Sequence, residues 1–245
     1  MSVPAGSVAL VTGANTGIGY AVAEGLCARG FTVLVGSRDA TRGERAVARL
    51  REAGHDPRLQ LLDVTDPSSV DAVASSIDRE VGRLDVLVNN AAVKLEFHPS
   101  PPSELPLDQV RAMFETNVFG SMRVIQAMVP LLLRSDTPRI VNLSSALGSL
   151  SLATTSGSVY RDRPMLGYNV SKTAVNALTV QFANQFRDTA MKVNAADPGY
   201  VRTAMTRHDG ERSPEQGAAV VLELATLGPD GPTGGLFDER GPVAW

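Results

Sequence analysis

The sequence predicts a doubly wound α/β fold, with about seven strands in a mainly parallel sheet and helices packed on both faces. Three observations predict it. Short β-branched runs alternate with helical patterns along the whole chain. The runs are near-continuously apolar, as suits strands covered on both faces by helices. A glycine-rich turn separates the first run from the first helical pattern.

The elements follow in order. Residues 8–12 form the first strand, and 18–29 carry apolar residues at helical spacing until Gly30 stops them. The second strand is 32–35, and a helix over 41–53 ends at Gly54. The third strand, 59–62, is closed by Asp63; Asp66 then caps a helix with Pro67 in its first turn. The fourth strand is 84–88. Residues 93–107 hold Pro99, Pro101, Pro102 and Pro106 and read as a loop. A single long helical stretch is expected over 107–133, and the fifth strand over 139–143. Residues 144–164, rich in Ser, Thr and Gly, read as a flexible loop. A long helix over 165–187, a sixth strand at 192–195 and a last helix capped by Ser213-Pro214 follow, with a candidate seventh strand at 234–237. No repeat or shift in composition divides the 245 residues, so one domain over 1–245 is expected.

Composition bounds the partners. Hydrophobic residues at 43% and charged residues at 20% are ordinary for a soluble globular chain. A net charge of −3 argues against nucleic acid or an anionic membrane as partner. The lone Cys27 allows no intramolecular disulfide, fits a reducing compartment and reads as a buried thiol. His55, His98 and His208 stand apart without ligand spacing, so no metal site is expected. The first strand follows no basic-then-apolar leader, and the apolar stretch 127–133 is short for a membrane span. A cytoplasmic protein acting on small molecules is expected.

The first strand runs into Thr12-Gly13-Ala14-Asn15-Thr16-Gly17-Ile18-Gly19. A turn that cradles a pyrophosphate must bring backbone close to it and present the N–H groups of a helix N-terminus. Gly13 and Gly17 remove side chains where the chain bends or approaches, and Gly19 lets the helix pack on the strand. A tight βα loop would use glycine as well. The strand before and the helix after favour the dinucleotide reading.

The second strand ends Val35-Gly36-Ser37-Arg38-Asp39. An NAD site places an acid at the strand end to take the ribose hydroxyls. Ser37 instead leaves room, and the Arg38 guanidinium suits a 2′-phosphate, so NADP(H) is the expected cofactor. Two other readings compete: Arg38 as a solvated loop residue, and Asp39 as a ribose acid in another register.

Tyr168 and Lys172 are four residues apart in a predicted helix and so share a face. Hydride reduction of a carbonyl leaves an alkoxide that must take a proton. Free tyrosine has a pKa of about 10, and a nearby ammonium favours the phenolate and lowers it. Four tyrosines and three lysines in 245 residues make about 0.05 such pairs by chance.

Together these motifs resemble the short-chain dehydrogenase/reductase family over essentially the whole chain. The turn is similar to its TGxxxGIG, and Tyr168–Lys172 to its YxxxK. The resemblance implies a Rossmann-type fold and a catalytic set of Asn117, Ser145, Tyr168 and Lys172. The second serine of Ser144-Ser145 would polarise the carbonyl, and Asn117 would hold a water linking Lys172 to solvent. Lys172 would also bind the nicotinamide ribose. Asn15, Thr16 and Ile18 would complete the pyrophosphate turn. Asp63-Val64 would meet the adenine, although residues alone allow Asp63 to be a loop cap. Asn90 and Ala91 would line the cofactor, and Pro198, Gly199, Val201 and Thr203 would pack on the nicotinamide. Two places depart from the pattern: Ala92 stands for a glycine, and Thr16 where many NADP members carry a basic residue.

Ser145 and Tyr168 are 23 residues apart, longer than the family's usual spacing. The extra segment, 149–164, contains Tyr160, Arg161, Asp162 and Arg163 and is expected to overhang the pocket. Such lengthening resembles the NADPH-dependent carbonyl-reductase branch, which acts on ketones, quinones and aldehydes. The pocket is expected from loops 93–107, 145–167 and 199–213, with Val93, Leu147, Tyr200 and Met205 either facing substrate or packing in the core. The implied reaction is hydride transfer to a ketone or aldehyde with Tyr168 as general acid. An NAD(P)-dependent alcohol dehydrogenase or a narrow biosynthetic ketoreductase is the alternative. An NADP(H)-sensing binding protein usually lacks the tyrosine or the lysine, and sugar-nucleotide epimerases need a larger C-terminal region. Monomer, homodimer and homotetramer stay open, with a preference for the dimer.

Overall fold

The computed structural model describes residues 6–96, 101–163 and 165–245; His98, Pro99 and Pro164 of the expected loops lie outside the described residues. Among the described residues eight strands form one sheet: β1 (Val8–Val11), β2 (Thr32–Ser37), β3 (Arg58–Leu61), β4 (Val86–Asn89), β5 (Arg139–Leu143), β6 (Lys192–Ala196), β7 (Leu236–Asp238) and β8 (Gly241–Val243). Their order is β3-β2-β1-β4-β5-β6-β7-β8. The first seven run parallel. The eighth, one more than expected, turns back against β7 and pairs Val243 with Leu236.

The helices are α1 (Gly17–Cys27), α2 (Ala40–Glu52), α3 (Pro67–Glu80), α4 (Leu107–Phe114), α5 (Ser121–Leu132), α6 (Leu150–Thr154), α7 (Leu166–Gln185) and α8 (Pro214–Ala225). Strand side chains alternate between two cores, as a two-faced sheet requires. Ala9 and Val11 pack with Val22 and Leu26 of α1, Val47 of α2 and Val221 of α8. Val8 and Leu10 pack with Val73 and Ile77 of α3, Ile125 and Met128 of α5, and Ala183 of α7. Strand order reverses between β1 and β4, where a crevice opens at the carboxyl ends of the strands.

Two stretches differ from expectation. The single helix expected over 107–133 is divided by a π-helical turn, Glu115–Gly120. The widened turn places the Asn117 side chain against Val93 and Ser171, and the Ser121 hydroxyl donates to the Asn117 carbonyl. The loop expected to be flexible over 144–164 contains a 3₁₀ turn, Ala146–Gly148, and the helix α6. The C-terminal residues hold it in place: Ser149 Oγ donates to the Ala244 carbonyl at 2.6 Å, and Ser151 N–H to the Trp245 carbonyl at 2.8 Å. Among the described residues no helix is long and apolar enough to cross a membrane.

Candidate active site

The turn after β1 is locked to the end of β4. Asn90 Nδ2 donates to the carbonyls of Thr12 at 2.8 Å and Gly13 at 3.1 Å, while Thr12 Oγ1 accepts the N–H groups of Asn90 and Ala91, both at 2.9 Å. Gly13 has φ +63°, a left-handed conformation that a side chain resists. A Cβ on Gly19 would lie 2.6 Å from the Gly13 carbonyl oxygen and against the Asn90 amide. The residue before α1, Thr16, gives no side-chain cap, so the first N–H groups of the helix keep their capacity for an anion.

A cleft of about 430 Å³ runs past this turn. Gly13, Asn15, Thr16, Gly17 and Ile18 line its floor, with Asp63, Val64, Asn90, Ala91 and Val93 beyond. Gly19 and Ser37 are buried behind the wall. Ser37 Oγ donates to the Asp39 carbonyl at 2.8 Å, so this hydroxyl shapes the turn and does not line the cleft. Arg38 lines the rim, joined by Arg42 from the first turn of α2. Asp39 is the α2 N-cap: its carboxylate accepts the Arg42 N–H at 2.9 Å and lies 3.5 Å from the Arg42 guanidinium. That engagement leaves the rim two guanidiniums and argues against Asp39 as a ribose acid. The Asp63 carboxylate accepts from both the N–H and the hydroxyl of Thr65, the loop-closing reading of this residue, and it still borders the cleft.

Tyr168 and Lys172 project from α7 into the same cleft. Lys172 is buried, and its Nζ donates to the Leu143 carbonyl at 2.7 Å while standing 5.6 Å from the centre of the Tyr168 ring. Burial lowers the lysine to about 8, with the Asp197 carboxylate pulling it back up. Burial, and then Asp197, push Tyr168 well above the ordinary tyrosine value. The direction is opposite to the expectation that the ammonium lowers the phenol, because desolvation dominates. The Tyr168 phenol therefore stays protonated across the neutral range.

The paired serines divide their work. Ser144 is buried and donates to Asn176 and to the Lys172 carbonyl. Ser145 caps the 3₁₀ turn, accepts the Leu147 N–H at 3.2 Å and lines a second cavity of about 280 Å³. Tyr168, Pro198 and Thr203 border both cavities. Asn117 lines neither. Its amide is held by the Val93 N–H and carbonyl at 2.8 and 3.0 Å and by Ser171 at 3.0 Å.

Leu147, Tyr200 and Met205 line the second cavity with Gly199 and Val201, whereas Val93 lines the first. Gly199 has φ +75°, and its N–H donates to Asp197 at 3.1 Å. Asp162 and Arg163 of the lengthened segment border the second cavity, and the Arg163 guanidinium stands 5.8 Å from the Tyr200 ring centre.

The family model described as short chain dehydrogenase matches residues 7–214. The chain belongs to the short-chain dehydrogenase family. Carbonyl reductase [NADPH] 1 of Mus musculus is 32% identical, the match covering 97% of this chain and 98% of that protein. The structure of salutaridine reductase from Papaver somniferum is similar with a TM-score of 0.81 at 29% identity, over 95% of this chain and 99% of that one. The RhlG/NADP complex of Pseudomonas aeruginosa gives 0.82 at 27% identity, over 96% and 95%.

Several charged residues in and around this short-chain dehydrogenase cleft had not been singled out from the sequence. Arg42 and Lys94 line it, Glu96 borders the second cavity, and Asp197 is buried beneath the Pro198-Gly199 turn. Arg42 had a usable signal: it is a second arginine close after Arg38, in the first turn of the helix that follows β2.

Proposed function

We propose that this chain is an NADPH-dependent carbonyl reductase, reducing a ketone or aldehyde with Tyr168 as the proton donor. The observation that carries the reading is one cleft shared by the uncapped α1 N-terminus, two rim arginines and the Tyr168–Lys172 pair. The residues present fit an NADP(H): Gly13 and Gly17 leave backbone bare at the turn, and a Cβ on Gly17 would crowd Thr203 at 3.2 Å. The NADPH named in the mouse relative and the NADP in the Pseudomonas structure support the same cofactor.

In this reading the turn and the first N–H groups of α1 hold the pyrophosphate, with Asn15, Thr16 and Ile18 around it. Arg38 and Arg42 take the 2′-phosphate. Asp63 and Val64 border the adenine, Asn90 and Ala91 the middle of the cofactor, and Pro198, Gly199, Val201 and Thr203 the nicotinamide end. Bound NADPH supplies the hydride. Ser145 donates to the substrate carbonyl oxygen, and Tyr168 gives its phenolic proton to the same oxygen as negative charge develops there. Lys172 binds the ribose hydroxyls and keeps a positive charge beside the tyrosine. Asn117 fixes the π-turn behind them. Leu147, Tyr200 and Met205 enclose an apolar substrate body, and Val93 borders the cofactor side. A single catalytic domain over 1–245 in a cytoplasmic setting goes with this reading.

The test is NADPH against NADH oxidation by the purified protein over aryl ketones, diketones, quinones and aldehydes. Turnover of at least one carbonyl with a strong NADPH preference supports the proposal. Tight NADPH binding with no turnover of any carbonyl points to a sensor, and equal use of NADH removes the role given to the arginines.

A further inference from the structure

The loop after β4 reaches the head of α7 by two routes that meet at Tyr168. The Glu96 carboxylate accepts the Tyr168 N–H at 2.7 Å across 72 residues of sequence. On the other side the Ser171 hydroxyl donates to the Tyr168 carbonyl at 2.7 Å, accepts from Asn117 Nδ2 at 3.0 Å, and Asn117 clamps the backbone of Val93. Residues 93 and 96 therefore hold the backbone of one tyrosine from both directions.

Glu96 is only 7% exposed, so its carboxylate needs a strong partner to stay there. The head of α7 provides one. Tyr168 is the third residue of this 20-residue helix, and Met165 before it gives no side-chain cap. An N–H at that position is one of the donors that a local Ser, Thr, Asp or Asn usually satisfies. A negative charge there also meets the positive end of the helix dipole. Gly167 leaves the room: a Cβ on it would lie 3.2 Å from the Glu96 carboxylate and against Met113.

We infer that Glu96 is a positioning residue, whose carboxylate caps α7 at Tyr168 and sets where the phenol stands between the two cavities. The inference rests on Tyr168 being the proton donor. Val93, at the cofactor cleft, and Tyr168 then keep their separation through one short loop. Neither Glu96 nor its cap touches the reacting atoms; the effect passes through the helix.

The test compares full-length Glu96→Ala and Glu96→Gln. Glutamine keeps an oxygen that accepts the same N–H; alanine removes it. Three quantities are read: hydrogen exchange at the Tyr168 amide in the free protein, NADPH affinity, and kcat on the best carbonyl of the panel. Glu96→Ala is expected to speed exchange at Tyr168 at least tenfold and to lower kcat about 10- to 100-fold with NADPH affinity within about twofold, since misplacement by about 1 Å can cost ~10²-fold. Glu96→Gln is expected to stay within about threefold of wild type on all three. Unchanged exchange or unchanged kcat in Glu96→Ala overturns the inference, and so does a glutamine variant as impaired as alanine. If Glu96→Ala fails to fold, Glu96→Asp, one methylene shorter, is judged by the same readouts. The exchange measurement needs no activity, so a wild type that reduces no carbonyl would defeat the proposed function while leaving the cap itself decided.

Discussion

Lys172 donates its Nζ to the Leu143 carbonyl at 2.7 Å, which moors the ammonium to the end of β5. The mooring is one bond against a large desolvation, and the lysine is pulled down to about 8. A lysine whose folded pKa lies below its unfolded value is a burden on stability while protonated in both states. That burden is complete below about pH 8 and fades as pH rises toward about 10.5, by on the order of 3 kcal/mol. Wild type should therefore gain stability relative to Lys172→Met over that window, read from urea midpoints at several pH values. A difference that stays flat from pH 7 to 10 would show that the lysine is not strained by burial.

Asp197 acts in the opposite sense. Buried under the Pro198-Gly199 turn, its carboxylate raises Lys172 and keeps the ammonium charged further up the pH scale. Asp197→Asn keeps an acceptor for the Gly199 N–H but removes the charge. On the proposed mechanism the alkaline limb of kcat/KM follows loss of the charged lysine, and it should move to lower pH in this variant. A limb that stays in place would mean that another group sets it.

At the rim, Arg42→Ala should weaken NADPH binding by about 10- to 100-fold, the usual cost of a charge-assisted contact, and leave NADH binding nearly unchanged. Paired titrations of the two nucleotides check this. Equal losses for both would place Arg42 in the scaffold of α2 and not at the phosphate.

Gly19→Ala places a Cβ 2.6 Å from the Gly13 carbonyl oxygen and against the Asn90 amide. The turn must shift to admit it. The expected cost is about 1–3 kcal/mol of stability together with weaker nucleotide binding. Wild-type stability and affinity in this variant would mean that the turn is looser than its contacts indicate.

Much of this was legible in the chain, for identifiable reasons. Strand and helix alternation, the glycine turn and the Tyr168–Lys172 spacing are local, and local periodicity reports them directly. Features made by distant partners were not. The segment 146–154 looks like loop because what orders it lies elsewhere in the chain: Thr173 and Asn176 of α7 donate to the Gly148 carbonyl, and the carbonyls of Ala244 and Trp245 take Ser149 and Ser151. The π-turn around Asn117 has the composition of any helix, and its cause is a set of contacts to Val93 and Ser171. Strand β8 is three residues with a glycine and a proline, too short for a pattern. Glu96 gave no sign, since its partner stands 72 residues on. Spacing shows that an ammonium is near Tyr168, whereas the desolvation that pushes the phenol up comes from packing that no spacing reveals.

The most direct measurement is Tyr168→Phe, assayed for carbonyl-dependent NADPH oxidation and, on the same preparation, titrated with NADPH. The expected result is turnover reduced by at least about 10²-fold, at the low end of what a positioned acid contributes, with NADPH affinity close to wild type. Near-normal turnover in that variant would contradict the assignment of Tyr168 as the proton donor.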